Sequence, residues 1–242
     1  MLWRFKMTYR LSALAVCAVF AIASVCQASL GPLQVKIDDG VNPAIIAMDQ
    51  GANDGSTIDG VVHLQAKTGI WTTTVSTGFS APAIGSTTVP EMNLTSVEVS
   101  SEDSAGTIEV SLTGLYNANE PVIPGFIHSF GGTSQGIATS DLYIGTSAFH
   151  QGTVISSLSP PVIGGSTGTF QEQTQGTATG TDSDYWLTLV ATITHTADGG
   201  SKVSSFSAQI DPQPTIPEPA SIAIWTLMAG IGGLIWMRRR SK

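Results

Sequence analysis

The sequence predicts an all-β protein, a β-sandwich of jelly-roll type, flanked by an N-terminal signal-peptide helix and a C-terminal transmembrane helix. Three observations support this prediction. Between the termini, short runs rich in Thr, Val, Ile and Ser are separated by Gly, Asp, Asn and Pro, which is the pattern of strands and turns. Uncharged segments lie near both ends of the chain. No twelve-residue window between them shows the apolar stripe of a helix.

The N-terminal segment, residues 1–28, has the three parts of a secretory signal peptide. Basic residues precede an uncharged run, 11–25, which would form a helix of about 22 Å, too short for the roughly 30 Å hydrocarbon core of a bilayer. Small residues lie just before the expected cleavage point, so we predict cleavage after Ala28. Translation from Met7 would leave Arg10 as the positive region.

Both cysteines of the chain, Cys17 and Cys26, fall within this removable segment. A lipoprotein would use Cys26 as the modified residue, but Val25 stands where that processing requires a small side chain. The mature chain would therefore have no thiol. This excludes a thiolate nucleophile, a cysteine zinc site and a disulfide scaffold.

The predicted exported domain, residues 29–211, is strongly acidic. From 29 to 212 the chain has seventeen Asp or Glu residues against three lysines and no arginine, a net charge of −14. Nucleic-acid-binding proteins neutralise phosphates with Lys and Arg, so no nucleic-acid partner is expected. Solubility outside the cell is the simplest explanation of the charge. Binding of divalent cations or basic partners is the alternative.

Elements within this domain can be assigned from alternation of polar and apolar residues. Four runs alternate with period two; they are 70–75, 94–99, 107–112 and 185–193. Short Gly-containing sequences suit tight turns; they are Asp39-Gly40, Asp54-Gly55, Asp59-Gly60, Gly131-Gly132, Gly164-Gly165 and Asp198-Gly199-Gly200. About ten to twelve strands fit this length, and two packed sheets of jelly-roll type are a natural way to close them.

After the domain, residues 212–219 form a linker in which half of the residues are proline. Each proline removes a backbone donor and favours extended geometry, which predicts an accessible spacer that a protease can bind. Residues 220–237 carry no charge and would span about 27 Å as a helix, just long enough to cross a membrane.

A basic tail, 238–242, ends the chain, and Arg238, Arg239 and Arg240 predict a cytoplasmic membrane stop by the positive-inside rule. Pro217-Glu218-Pro219, the glycine-containing apolar segment and these arginines together resemble the PEP-CTERM sorting domain. The resemblance implies recognition by an exosortase, a membrane-embedded cysteine-type transpeptidase, with cleavage near the motif and delivery to the cell surface or extracellular matrix. In that case Pro217, Glu218 and Pro219 are substrate residues. A plain single-pass anchor is the alternative.

An acidic loop, 49–55, resembles a calcium loop in composition. The EF-hand pattern requires Gly at the sixth position and Glu at the twelfth, but counting from Asp49 these positions hold Asp54 and Gly60. A calcium site of another type remains an alternative to ordinary turn chemistry; its further acids would be Asp59, Asp182 and Asp184. Otherwise no cofactor and no metal are expected.

The remaining chemical groups do not form a catalytic pattern. The histidines are far apart in sequence and include no pair at metal spacing; they are His63, His128, His150 and His195. We expect His63 and His195 at a sheet surface. The glutamates Glu98, Glu102, Glu109 and Glu172 do not indicate an acid and base pair. No catalytic residue is assigned, and a polysaccharide-active enzyme is the least favoured function.

Aromatic residues favour a carbohydrate-binding module or adhesin if they are exposed, because sugar rings stack on Trp and Tyr. The candidates are Trp71, Trp186, Tyr116, Tyr143 and Tyr185. Core packing is the simpler expectation for Trp71 and Trp186. The leading hypothesis is an exported structural protein of the cell surface or extracellular matrix. Its expected partners are an exosortase, extracellular polysaccharide and, before processing, the membrane that its C-terminal helix would cross.

Overall fold

The computed structural model describes residues 31–81, 83–85, 90–102, 104–117, 122–162, 167–179, 184–197 and 200–213. These residues form strands, turns and loops, with no helix among them. The described part of the chain accordingly contains no helix with the length and apolar character needed to cross a bilayer. The predicted signal-peptide helix and transmembrane helix lie outside the described residues.

The described residues form twelve β-strands in two antiparallel sheets. The strands are β1 (Gln34–Asp38), β2 (Ile45–Met48), β3 (Val61–Thr68), β4 (Trp71–Phe79), β5 (Met92–Ser101), β6 (Gly106–Tyr116), β7 (Val122–Ser134), β8 (Ile137–Gly145), β9 (Thr153–Leu158), β10 (Gly168–Thr179), β11 (Tyr185–His195) and β12 (Lys202–Pro212). Sheet A has the order β2-β1-β6-β11-β8-β9, and sheet B has the order β10-β7-β12-β5-β4-β3. The all-β prediction and its strand number are confirmed.

The last eight strands pair as a nested set. The first of them pairs with the last, β5 with β12, and the next inner pair is β6 with β11. Further inward, β7 pairs with β10, and β8 pairs with β9 at the centre. From the outermost pair to the innermost, the four pairs lie in sheet B, sheet A, sheet B and sheet A. Strands β5 to β12 therefore form one long antiparallel ribbon that is folded over onto itself.

A single apolar core lies between the two sheets. Alternate residues of β6, such as Val110 and Leu112, and of β11, such as Leu189, belong to one buried cluster with residues of sheet B. In β5 both Leu94 and Val97 face this core, although their separation of three does not fit simple alternation. A bulge at Ser96, where φ is +51°, inserts one extra residue and so allows both Leu94 and Val97 to face the core.

The four alternating runs are confirmed as parts of β4, β5, β6 and β11. The turn predicted at Gly131-Gly132 is wrong, because both residues lie inside β7. A Cβ at Gly132 would strike the backbone of β12 at Ser205 and Phe206. Glycine is therefore required here by the close approach of two strands, and not by a reversal of the chain.

Candidate functional site

The residues predicted to direct export and sorting all lie outside the described residues. They are Ala28, Pro217, Glu218, Pro219, Arg238, Arg239 and Arg240. Their assignments stay predictions, and a candidate site within the described residues must come from the β-domain.

A groove of about 710 Å³ crosses the outer face of sheet B. It lies over three neighbouring strands, β10, β7 and β12, which contribute Gln171, Gly131 and Gln209 to its lining. Gly131 faces away from the core, because its neighbour Phe130 is buried between the sheets. The absence of a side chain at Gly131 deepens the groove at its centre, and a Cβ there would lie 3.3 Å from the carbonyl oxygen of Phe170.

The polar side chains that line the groove are neutral. The described lining residues are Ser129, Phe130, Gly131, Gly132, Pro161, Thr169, Phe170, Gln171, Ser207 and Gln209, and none of them is charged. Hydroxyl and amide groups can each donate and accept hydrogen bonds, which matches the hydroxyl groups of a sugar. No pattern in the sequence predicted this groove. The alternation of Gln171, Gln173 and Gln175 was the available signal, since it places three amides on one face of a strand.

Two histidines lie between the sheets and join them. His128 of β7 contacts the hydroxyls of Ser156 and Ser140 through its Nδ1 and Nε2 atoms, at 2.8 and 2.9 Å. These serines belong to β9 and β8 of sheet A, whereas His128 belongs to sheet B. Both nitrogens of this buried ring therefore have a partner in the opposite sheet.

His195 forms a second network in the reverse direction. It belongs to β11 of sheet A, and its Nδ1 and Nε2 atoms each lie 2.8 Å from a serine hydroxyl of sheet B, Ser101 and Ser204 respectively. Its ring lies 5.0 Å from that of Trp71. The prediction that His195 lies at a sheet surface is wrong, because the residue is fully buried. His195 lies two residues after the buried Ile193 on the same strand and therefore also points into the core. The two serine hydroxyls satisfy the nitrogen atoms of its ring. His63 is exposed on β3, as predicted.

Burial lowers the pKa of His128 to about 4, and burial together with the nearby charge of Lys202 lowers the pKa of His195 to about 4. Both rings are therefore neutral at pH 7, with one nitrogen donating and the other accepting. In enzymes, a histidine hydrogen-bonded to a serine can act as the general base that activates the serine hydroxyl as a nucleophile. Since the rings and their serines are almost completely buried, a substrate cannot reach them, and the networks connect the two sheets.

The acidic loop uses its carboxylates to hold its own backbone. Asp49 accepts a hydrogen bond from the Gly60 amide at 2.8 Å. Asp54 accepts three from the amides of Gln50, Ser56 and His63. Burial raises the pKa of Asp49, and the charges of Asp59 and Asp54 raise it as well. Among the described residues no group of three or more His, Cys, Asp or Glu side chains could hold a metal ion. Asp182 lies outside them.

The four glutamates do not form a pair in a cleft. Glu98, Glu102 and Glu172 lie on or beside sheet B, where Glu102 bonds Lys67 at 3.0 Å and Glu172 accepts the Ser159 amide at 2.8 Å. Glu109 lies on β6 of sheet A. None of these contacts brings two glutamates together.

The aromatic candidates separate into buried and partly exposed residues. Trp71, Tyr116 and Tyr185 are buried, and Tyr116 bonds the Ser80 hydroxyl inside the protein. Trp186 and Tyr143 are partly exposed. Core packing is therefore confirmed for Trp71, whereas Trp186 faces away from the core.

No protein-family model matches the chain, and no curated protein matches it. Among solved structures, the chain is similar to the enzymatically active domain of tailspike protein 4 from bacteriophage CBA120, with a TM-score of 0.30 and 12% sequence identity. The similarity covers 66% of this chain and 21% of the tailspike chain. A similarity this low identifies neither the fold nor the activity of this chain.

Proposed function

We propose that this chain is an exported protein of the cell surface or extracellular matrix whose β-domain holds a neutral polysaccharide in the groove of sheet B. The observation that carries the proposal is the groove itself, about 710 Å³ in volume and lined by neutral hydroxyl and amide groups. Three strands of one sheet support it, so its polar groups are held on a rigid surface.

Charge favours a neutral ligand over an anionic one. The domain carries a net charge of −14 between residues 29 and 212, and such a surface repels anionic polymers. No lysine lines the described groove to offset that repulsion. Desolvation of a hydroxyl-rich neutral sugar costs little free energy when the groups of the site replace its hydrogen bonds to water.

We assign the domain to the jelly-roll type of β-sandwich. The support is the nested pairing of β5–β12 together with the strand orders β10-β7-β12-β5 and β6-β11-β8-β9. A ribbon of eight strands that folds over into two sheets of four is the arrangement of two interlocked Greek keys. In this assignment β1, β2, β3 and β4 extend the two sheets at their edges.

Sorting through the C-terminal segment is the second part of the proposal, and it rests on the sequence pattern around Pro217-Glu218-Pro219. Replacing these three residues by alanine in the producing cell should leave the C-terminal segment attached. Mass spectrometry of the exported protein would detect this as a higher mass. Unchanged processing in the triple-alanine variant would contradict the sorting proposal and leave the groove unaffected.

Binding to the groove is tested with the variant Gln171→Ala/Gln209→Ala and a panel of insoluble and soluble neutral glucans. The wild-type full chain should co-sediment with at least one of them, and the double variant should bind about tenfold more weakly. Gln65→Ala is the matched control, because Gln65 is an exposed glutamine on β3, at the far edge of the same sheet. Equal binding by all three proteins would contradict the groove proposal.

A further inference from the structure

The groove of sheet B continues as a row of side chains that crosses onto β5 and β4. Ser129 and Gln209, which line the groove, are partners in the pairing of β7 with β12. Gln209 is in turn the partner of Asn93 on β5, and Asn93 is the partner of Phe79 on β4. Residues directly opposite each other on one face have Cβ atoms about 5 Å apart. These four side chains therefore form an unbroken line.

Alternation along each strand directs this row away from the core. Asn93 lies between Met92 and Leu94, and both of these neighbours are fully buried. Phe79 likewise lies between two buried residues of β4. Asn93 and Phe79 are themselves only partly buried. Both residues therefore present side-chain atoms on the outer surface of sheet B, beside the groove.

Phe79 supplies an aromatic ring at the surface, which the described lining of the groove does not. The two phenylalanines of that lining, Phe130 and Phe170, are no more than 5% exposed, and their ring centroids lie 4.8 Å apart. Phe79 is partly exposed and does not belong to the buried core cluster. A sugar ring has a face of C–H groups that packs on an aromatic ring. Phe79 can therefore hold a sugar by its face.

Asn93 gives an independent indication that a hydrogen-bond donor belongs at this point. Its Oδ1 atom is buried and has no hydrogen-bond partner among the described residues. The Nε2 atom of the neighbouring Gln209 donates instead to Asp211 on its own strand, at 2.7 Å. A buried acceptor without a donor is unfavourable. Because Asn93 is partly exposed and its terminal torsion is soft, a small rotation presents this oxygen to a sugar hydroxyl.

The extension is neutral, like the groove, and it lengthens the path available to a ligand. Across β10, β7 and β12 this path measures about 10 Å, and it reaches about 19 Å when β5 and β4 are added. A polymer that lies across the strands therefore contacts more sugar units than the groove alone can hold.

We propose that the bound polysaccharide lies across the strands of sheet B and that Asn93 and Phe79 form a further sugar subsite beyond the groove. Phe79 packs on the face of one sugar ring, and Asn93 accepts a hydrogen bond from a hydroxyl of that sugar or of the next one. This inference rests on the proposed function and deepens it. It adds the direction of the chain and two residues that favour an extended polymer over a short oligomer.

Oligomer length separates this subsite from the groove. In calorimetric titration of the full chain, the hexamer of a soluble neutral glucan should bind at least about tenfold more tightly than the trimer. Phe79→Leu should lower the affinity for the hexamer about tenfold and leave that for the trimer unchanged. Phe79→Tyr keeps the ring and should bind both oligomers as the wild type does. Asn93→Ala should weaken binding of the hexamer several-fold.

Two further variants control for position and direction. Gln65→Ala should not change the affinity for either oligomer, because Gln65 is the partner of Thr74 on β4, away from Phe79. Thr177→Ala lies on the exposed side of β10 and reports on a chain that runs along that strand. Weaker binding of the hexamer by Thr177→Ala, with none of this loss in Phe79→Leu, would overturn the inference.

Equal binding of the hexamer by wild type, Phe79→Leu and Asn93→Ala would also overturn it. If Gln171→Ala/Gln209→Ala still weakens binding of the trimer in that case, the groove proposal stands without the extension. Failure of the wild type to bind any neutral glucan would instead contradict the proposed function itself. Urea unfolding of each variant checks that a loss of affinity does not come from a loss of the fold.

Discussion

The outer faces of the two sheets differ in cover and in charge, although the same strand alternation builds both. On sheet B the groove over Gly131 is open and its described lining is neutral. On sheet A the outward-facing Ser111 and Thr188 are buried, and the Phe149 ring of the loop 146–152 lies near Nζ of Lys36. The two outer faces therefore differ in how much of their surface is open, although both are built by the same alternation of residues.

Both sheets share one buried core, so they should unfold together. A substitution in that core tests this expectation and should have the largest effect. His195→Ala would leave the hydroxyls of Ser101 and Ser204 without their ring partner and open a cavity beside Trp71. We expect a loss of about 4 kcal/mol in the free energy of unfolding. Urea unfolding measures it, and His63→Ala, at an exposed position, should change stability by less than about 0.5 kcal/mol.

In His195→Ala, strands of both sheets should unfold at the same urea concentration, which hydrogen exchange at Thr188 of sheet A and Gln171 of sheet B can follow. If the amides of one sheet stay protected after those of the other are exchanged, the sheets unfold separately. The two faces would then have to be treated as independent units.

Acid tests the interior through the buried histidines. The unfolded chain takes up protons on its histidines as the pH falls below about 6.5, whereas folded His128 stays neutral until about pH 4. Its contribution to stability is therefore present at pH 7 and is lost as the pH falls towards 4. The difference in unfolding free energy between wild type and His128→Gln should narrow by about 3 kcal/mol over this range.

Other acidic groups cancel in this difference, because they are present in both proteins. A constant difference for His128→Gln would mean that water reaches the His128 ring.

Filling the groove has the next smaller effect. Gly131→Val would place a branched side chain at the centre of the groove floor, where its Cβ would lie 3.3 Å from the carbonyl oxygen of Phe170. Binding of a neutral glucan should fall about tenfold, or about 1.4 kcal/mol. Calorimetry measures the binding, and urea unfolding checks that the variant is folded. Unchanged glucan binding by the folded variant would contradict the groove site.

The smallest expected effect is spectroscopic. Trp186 faces outward on sheet A, and its fluorescence reports on that face. Neutral glucan should leave the fluorescence unchanged, because no tryptophan lines the described groove. A response to glucan that Trp186→Phe removes would move the neutral ligand to sheet A.

Alternation in the sequence predicted the strands well because each has one face in the core, as in β6 and β11. It did not predict the pairing of distant strands, which depends on contacts between the sheets. Gly131-Gly132 was mistaken for a turn because glycine serves both reversals and close strand approaches. The polarity of the histidine side chain favours a surface position for His195. Its position two residues after the apolar Ile193 favours the core, and this second signal is the correct one.

The candidate sites were less predictable than the strands. The groove collects residues from β7, β10 and β12, which are far apart in sequence. On sheet A the contact between Phe149 and Lys36 is not indicated by any local sequence pattern. Both features are therefore products of tertiary packing.

The central claim, that neutral polysaccharide binds in the sheet B groove, is tested most directly by NMR of the full chain with a soluble neutral glucan oligomer. The amide and side-chain resonances of Ser129, Gly131, Gln171, Ser207 and Gln209 should shift with increasing oligomer, while those of Thr188 and Thr192 on sheet A should not. Shifts confined to sheet A, or no shifts at saturating oligomer, would contradict the claim.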